Sequence, residues 1–431
     1  MPTSSSHHTL YFARNWIGFF LLGLINTLPY ATVTTAAKSI ADGLDRPQFL
    51  PTIYGAAGSA TIIAKIVNAV LVNKVHYGYR FLFNSCLLVI GSIGIAIAQN
   101  FKRAIFAVVT VGAGNAFGEN VALGYLSGQG FDDDLVNAWS SGTGFAGLLG
   151  ASLFVLAGCI HNEGSKRVDL RDLNEWVFLI ITPMVLIYLL SFMKIIIPPT
   201  EALTARSQSP NVNSSPSAPS SPIPNSHSTN PGETQPLLAS SDSSEVENLG
   251  VLIRTRNWGL WRRRITTALW VVLPLAVNLG LSTFLSFVTR VAASKAVKNS
   301  EYNKGCPEIF ASLQLCYQAG VFVSKSSLQI IKIKFLYHLT VILFFSTLMW
   351  LVNERFKFLP VYVLPASMIL VGLLNGAVYV NTFYLVQTEM KYGPPNDREL
   401  CTNITAIFIN IGVSCCAILQ TILDQTVFLP F

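Results

Sequence analysis

The chain has 431 residues, 51% of them apolar and 12% charged, with a formal net charge of +7. Soluble globular chains carry about 25% charged residues, so this composition excludes an ordinary soluble protein and points to one whose solvent is lipid. The positive charge does not indicate a nucleic-acid partner, because the basic residues scatter among short loops and form no stripe with interleaved aromatics.

Eleven apolar runs approach the ~20 residues that a helix needs to cross a ~30 Å hydrocarbon layer. They cover residues 15–37, 53–73, 81–98, 104–126, 137–158, 176–197, 266–288, 310–331, 336–352, 361–386 and 402–428. Helices are required because lipid cannot satisfy open backbone groups, and the runs lack the alternation of a membrane barrel. The first run is too long for the apolar core of a cleaved signal peptide and is expected to remain as a span. Between 198 and 257 the composition turns to Ser, Pro and Asn, too poor in large apolar residues to bury a core. The expected organisation is a cytosolic N-terminal tail (1–14), a six-helix bundle (15–197), a disordered cytosolic linker (198–257) and a five-helix bundle (258–431).

The two halves share local patterns. Span four reads "GAGNAFGEN" from Gly112 and span ten "GLLNGAVYVN" from Gly372, each with glycine followed three residues on by asparagine (Asn115, Asn375). Span two reads "YGAAG" and then Lys65, and span eight "YQAG" and then Lys325. Parallel repeats of six would place these pairs in equivalent positions, the arrangement of major facilitator transporters, with one span missing; chance similarity of common residues is the alternative. The fold class is therefore an all-α polytopic membrane protein, major-facilitator-like, with about eleven spans in pseudo-repeat halves of six and five.

Overall loop charge does not orient the chain, but the cluster of Arg254, Arg256 and Arg262 to Arg264 before span seven favours a cytosolic linker. In that linker "ETQPLL" (Glu233, Leu237, Leu238) has the acidic-dileucine form read by clathrin adaptors. Cys159 and Cys306 then fall in loops on the lumenal side, where they either pair or stay free. The other cysteines fall in or beside apolar spans, and burial is their ordinary reading.

Glu119 stands alone as a charge between Ala104 and Leu126. A buried ionisable group in a membrane helix costs at least ~2.5–3.5 kcal/mol, so it faces a partner or a wet cavity, or is protonated and makes one interhelical hydrogen bond. The other deeply placed charges are Lys65 and Lys325. At ~1.5 Å per residue, Glu119, Lys325 and Lys65 lie ~6, ~7 and ~3 Å past the centres of their spans, all toward the same membrane face. Either the lysines snorkel to the interface or the three charges share a cavity with a net positive charge. Such a cavity suits a small anionic or zwitterionic substrate, whose ammonium, if present, would lie near Glu119 and the face of Tyr379. Asn115 and Asn375 complete the candidate substrate site.

Gly144, Gly147 and Gly150 in span five are expected to allow close helix packing in preference to touching a ligand. Pro29, Pro183, Pro274 and Pro365 are expected to kink their spans. His76 and His338 are lone histidines near loops, whose simplest reading is solvated or hydrogen-bonded. There is no metal-ligand cluster, phosphate-cradling loop, nucleophile triad or catalytic carboxylate pair, so neither an enzyme nor a cofactor is expected.

Five stretches, "FFLLGLINTLPYA" (19–31), "FGENVAL" (117–123), "WSSGTGFAGLLGA" (139–151), "YQAGVFVSKSSL" (317–328) and "NGAVYVNTF" (375–383), together resemble the battenin family of lysosomal or vacuolar membrane proteins. The resemblance implies a fold related to the major facilitator and equilibrative nucleoside transporters. It implies an endolysosomal role in clearing glycerophosphodiesters, with fungal relatives linked to vacuolar basic amino acids and pH. It maps the family's intramembrane glutamate onto Glu119, its second-span lysine onto Lys65 and its eighth-span basic residue onto Lys325. Two positions depart from the pattern: Ser282 stands where relatives carry an acid, and the sequence ends "TVFLPF" without a prenylatable Cys motif. The expected function is lysosomal or vacuolar efflux of small metabolites, most of all glycerophosphodiesters, with a part in pH homeostasis and protons as a possible coupling ion. The alternatives are arginine transport and a non-transporting scaffold for endolysosomal trafficking. The expected partners are the bilayer, the substrate and a clathrin adaptor.

Overall fold

In a computed structural model the described residues are 4–71, 75–129, 131–132, 134–162, 170–199, 243–296, 309–389, 391–392 and 397–426. They are helical, with no strand among them. The helices are α1 (Ser4–Gly43), α2 (Leu50–Leu71), α3 (Tyr77–Ala96), α4 (Phe101–Gly128), α5 (Leu135–Asn162), α6 (Leu170–Ile181), α7 (Val185–Leu190), α8 (Ser243–Ala292), α9 (Ile309–Ser326), α10 (Leu336–Phe356), α11 (Leu364–Thr388) and α12 (Arg398–Thr426). Among the described residues nine stretches are long and apolar enough to cross a membrane. The expected spans two and eight are helical as α2 and α9 but are not among those nine. For α9 the cause is its polar content, Gln314, Gln318, Ser324 and Lys325.

Residues 1–199 and 268–431 form one compact unit, and 200–267 a second. Helix α8 begins at Ser243, inside the stretch expected as linker, and α1 begins at Ser4, inside the expected tail. The dileucine residues Glu233, Leu237 and Leu238 lie outside the described residues, as does Cys306. Cys159 is itself disulfide-bonded.

Helix starts follow local chemistry. Asn100 caps α4 by accepting from Arg103 N at 3.0 Å, and His76 caps α3 by accepting from Gly78 N at 3.2 Å, so this histidine closes a helix end. Of the four prolines expected to kink their spans, Pro183 interrupts the sixth: α6 gives way to a 3₁₀ turn at Thr182–Met184 before α7 and a π turn at Ser191–Ile195. Pro29 and Pro274 lie inside uninterrupted helices. Pro365 opens α11, where its missing N–H was unpaired in any case, so no kink is needed there.

Glycine decides how the helices cross. A Cβ on Gly112 of α4 would collide with the Ala57 carbonyl of α2, and one on Gly142 of α5 with the Phe20 carbonyl of α1. The second half repeats both crossings: Gly372 of α11 abuts the Tyr317 carbonyl of α9, and Gly412 of α12 abuts the Gly280 carbonyl of α8. Backbones approach this closely only where the side chain is absent. The glycine–asparagine pattern read in spans four and ten thus marks one repeated crossing, α4 on α2 and α11 on α9. The halves meet along two seams. Gly55 and Gly58 of α2 pack on Ala417 and Val413 of α12, while Gly144 and Gly147 of α5 pack on Phe322, Lys325 and Gln318 of α9. The span-five glycines are packing residues as expected, with Gly150 facing Thr32 of α1.

Candidate functional site

The charged residues singled out in the sequence converge on the junction of the two halves. Lys65 is 5% exposed, and its Nζ lies 3.2 Å from Glu119 Oε2 and donates to the Ala406 carbonyl of α12 at 3.4 Å. Burial and pairing remove snorkelling as an account of Lys65. The other oxygen of Glu119 accepts from the Tyr379 hydroxyl of α11 at 3.2 Å. A carboxylate supplied by α4 is thereby held by an ammonium from its own half and a phenol from the other. The expected use of Glu119 for a ligand's ammonium is met here internally, by Lys65.

Lys325 of α9 reaches across in the opposite direction. Its Nζ donates to Thr143 Oγ1 of α5 at 3.2 Å and stands 4.2 Å from the centroid of the Tyr379 ring. The aromatic face expected to meet a ligand cation therefore carries the protein's own lysine. Among the described residues no carboxylate lies within ion-pair distance of Lys325. Since Glu119 is matched by Lys65, the cluster retains one uncompensated cation. A charge of this kind, removed from water and unpaired, is costly unless an anion arrives.

Asn115 and Asn375 sit one helical turn before Glu119 and Tyr379 in their repeats, but they differ in use. The Asn115 carbonyl accepts from Asn26 Nδ2 at 2.8 Å. Asn26 Oδ1 accepts from Asn84 Nδ2 at 2.8 Å, and the same Nδ2 donates to the Tyr188 hydroxyl at 3.0 Å. This buried amide network ties α1, α3, α4 and α7 together inside one half. The Asn375 side chain donates to the Tyr317 hydroxyl at 2.9 Å and accepts from Ser282 Oγ at 3.4 Å. Ser282 is thus a buried neutral neighbour of the site.

A cavity of about 320 Å³ opens between the halves, with Tyr379, Ser140, Asn137, Lys332, Asp134 and Gln387 in its lining. It lies just beyond the C-terminal end of α9, at the C-terminal part of α11 and at the start of α5. Glu119, Lys65 and Lys325 stand behind the Tyr379 wall: Tyr379 touches two of them, and Thr143, the partner of Lys325, donates to the Ser140 carbonyl at 2.8 Å.

Three contributors escaped the sequence reading. Thr143 and Gln318 are ordinary polar residues in apolar helices and carry no distinguishing pattern. Arg290 had a usable signal, a charge next to an apolar run, but it falls two residues beyond the expected end of span seven at 288. The helix continues to Ala292 and Arg290 is buried at 3% exposure. Among the described residues no group of His, Cys, Asp or Glu could hold a metal ion.

Residues 17–428 match the CLN3 protein family. Battenin of Dictyostelium discoideum is 31% identical over 422 residues, covering 96% of this chain and 95% of that protein. Battenin of Canis lupus familiaris is 24% identical, covering 95% and 90%. Among solved structures the chain resembles a D-xylose–proton symporter (TM-score 0.58, 12% identity, 97% and 90% covered). It also resembles a bacterial homolog of the human lysosomal transporter Spinster in an inward-facing, occupied conformation (TM-score 0.55, 14% identity, 96% and 82% covered). At such identities these two likenesses concern the fold, which is that of the major facilitator transporters. With the family pattern running across both halves, and Glu119, Lys65 and Lys325 brought together where those halves meet, the chain is a multi-pass membrane protein of the CLN3, or battenin, family.

Proposed function

We propose that the protein is an alternating-access transporter, not an enzyme, that carries small phosphodiesters such as glycerophosphocholine out of an endolysosomal or vacuolar lumen. The observation that carries this reading is Lys325, an intramembrane ammonium held by a hydroxyl and a ring face beside a cavity, with no carboxylate among the described residues within ion-pair distance. A phosphodiester supplies the missing negative charge. Arginine would bring a further cation to a site already in cationic excess, which disfavours it. The battenin relatives and the resemblance to a lysosomal transporter's bacterial homolog support the compartment. So does the disulfide at Cys159, which the structure places in the last turn of α5, not in the expected loop, at the end expected to be lumenal, since such bonds persist where the compartment is oxidising.

In this mechanism the substrate phosphate replaces the Tyr379 ring as the partner of Lys325. Tyr379 then releases Glu119, which either keeps Lys65 or takes a proton, and the loss of these cross-seam bonds frees the halves to rock. Proton uptake by Glu119 would couple flux to pH and account for the family's link to vacuolar acidity. Reconstitution in liposomes with labelled glycerophosphocholine tests the proposal. Flux above empty vesicles is expected for the natural chain, with a reduction of about ten-fold or more for Lys325→Met, equivalent to ~1.4 kcal/mol of lost transition-state stabilisation. Wild-type flux equal to empty vesicles, or an unimpaired Lys325→Met, overturns it; labelled arginine moving in preference would install the amino-acid reading instead.

A further inference from the structure

Among the described residues outside the Glu119 cluster two arginines are buried, Arg80 of α3 at 2% exposure and Arg290. Arg290, near the C-terminal end of α8, is 3% exposed, and its Nη2 is buried without a hydrogen-bond partner. Its Nε donates to Gln314 Oε1 of α9 at 2.7 Å, and Gln314 Nε2 donates back to the Arg290 carbonyl at 3.4 Å. The guanidinium carbon stands 4.7 Å from the ring centroid of Phe287, 4.8 Å from Tyr317 and 5.5 Å from Tyr54. No described carboxylate forms an ion pair with it.

Two of these rings come from the second half, while Tyr54 belongs to α2 of the first, where it meets Phe287 edge-on at 5.6 Å. The box therefore closes the junction of the halves. Its depth follows from α9: Tyr317 precedes Lys325 by eight residues, which places the Arg290 layer about 12 Å away, on the side opposite the open cavity. Tyr317 lies between the layers: its ring meets Arg290, and its hydroxyl accepts from Asn375, one turn before Tyr379 on α11.

Aromatic faces attract a guanidinium, but they do not neutralise it, and the free Nη2 retains donors that no protein group satisfies. A purely structural cation at this depth would be expected to have a carboxylate. We infer that Arg290 is a second anion-binding residue, which receives the phosphate of an incoming substrate at the closed end of the junction. The aromatic box is its resting place while that end is shut. Opening the junction withdraws Tyr54 and presents the fork-shaped donors to a phosphate, the group whose geometry they fit. The anion is then handed inward along the Tyr317–Asn375 side to Lys325. This inference rests on the transport reading for its direction, but the anion site itself can be measured separately.

The experiment titrates the purified full chain with radiolabelled inorganic phosphate and compares it with Arg290→Gln, Arg290→Lys and Lys325→Met, thermal stability being recorded for each. Arg290→Gln is expected to weaken phosphate binding about ten-fold or more, because it removes charge-assisted hydrogen bonds. Arg290→Lys, which keeps the charge and loses the fork, should fall between it and the natural chain. Lys325→Met should leave a phosphate site that Arg290→Gln lacks. Unchanged binding by a folded Arg290→Gln, or no phosphate binding by the natural chain, overturns the inference. If Arg290→Gln does not fold, Tyr54→Leu provides the second measurement: opening the box while keeping the guanidinium should tighten phosphate binding, and unchanged or weaker binding overturns the proposal. Phosphate bound through Arg290 by a chain that moves no glycerophosphocholine would retire the transport reading and keep this one; flux with no role for Arg290 would do the reverse.

Discussion

At the scale of single residues, the Lys65–Glu119 pair is the most demanding feature. Both ends are removed from most of their water, at 5% and 17% side-chain exposure, so neither is stable without the other. Glu119→Gln is expected to destabilise the protein by about 3–5 kcal/mol, the range for leaving a buried charge unpaired. Lys65→Met combined with Glu119→Gln should cost less than the sum of the two single changes, a coupling that denaturant unfolding in detergent would measure as a double-mutant cycle. Tyr379→Phe removes one hydrogen bond and keeps the ring under Lys325, so a smaller loss of about 1 kcal/mol is expected in the same assay. The positions of Glu119, Lys65 and Lys325 were readable in the sequence because a charge in a lipid-depth helix is improbable without a reason. Their pairing was not: nothing in one dimension says that Glu119 would choose Lys65 and leave Lys325 to Tyr379.

At the scale of elements, glycine placement governs the crossings. A Cβ at Gly372 would strike the Tyr317 backbone carbonyl, and a backbone cannot swing aside as a side chain can. Gly372→Ala is expected to cost about 1–3 kcal/mol, the range for overpacking, and to reduce flux by disturbing the Asn375–Tyr317 contact one turn away. Gly158 is the control: the nearest atom to an added Cβ there is Leu173 Cδ2, in ordinary contact at 3.8 Å. Gly158→Ala should therefore be neutral or stabilising by up to about 1 kcal/mol, since alanine is the better helix former. Thermal unfolding of the two variants side by side checks both. Helix ends were less legible than helix cores. The apolar run of span seven ends at 288, while the helix continues to Ala292 and carries Arg290 among aromatic and glutamine neighbours.

For the whole molecule, the two halves act as one packed body along the α2–α12 and α5–α9 seams, with a cavity at one end and the Arg290 box at the other. A transporter of this kind should work without the segment that carries the dileucine. Deleting 205–250 is expected to leave flux per reconstituted molecule within about two-fold, a change under ~0.5 kcal/mol in barrier, while altering delivery in cells. A scaffold would lose its activity with that segment. Replacing Cys159 by Ser should lower stability by about 2–4 kcal/mol under non-reducing conditions and have no effect under reduction, because the unfolded chain regains the freedom that the cross-link removed.

Composition and hydropathy alone determined the solvent, the helical class and the presence of buried charge, because lipid allows few solutions to backbone hydrogen bonding and penalises every ion. The recurrence of glycine and asparagine in spans four and ten pointed to a duplication with chance similarity as the alternative, and the repeated close crossings in the structure favour the duplication. Tertiary structure alone decided which charges neutralise each other, which aromatic face is occupied and where the junction is closed. These depend on contacts between residues such as Tyr54 and Arg290 or Glu119 and Tyr379, whose separation in sequence exceeds two hundred positions. Electrostatic pairing is a function of distance in space, and sequence order does not encode that distance.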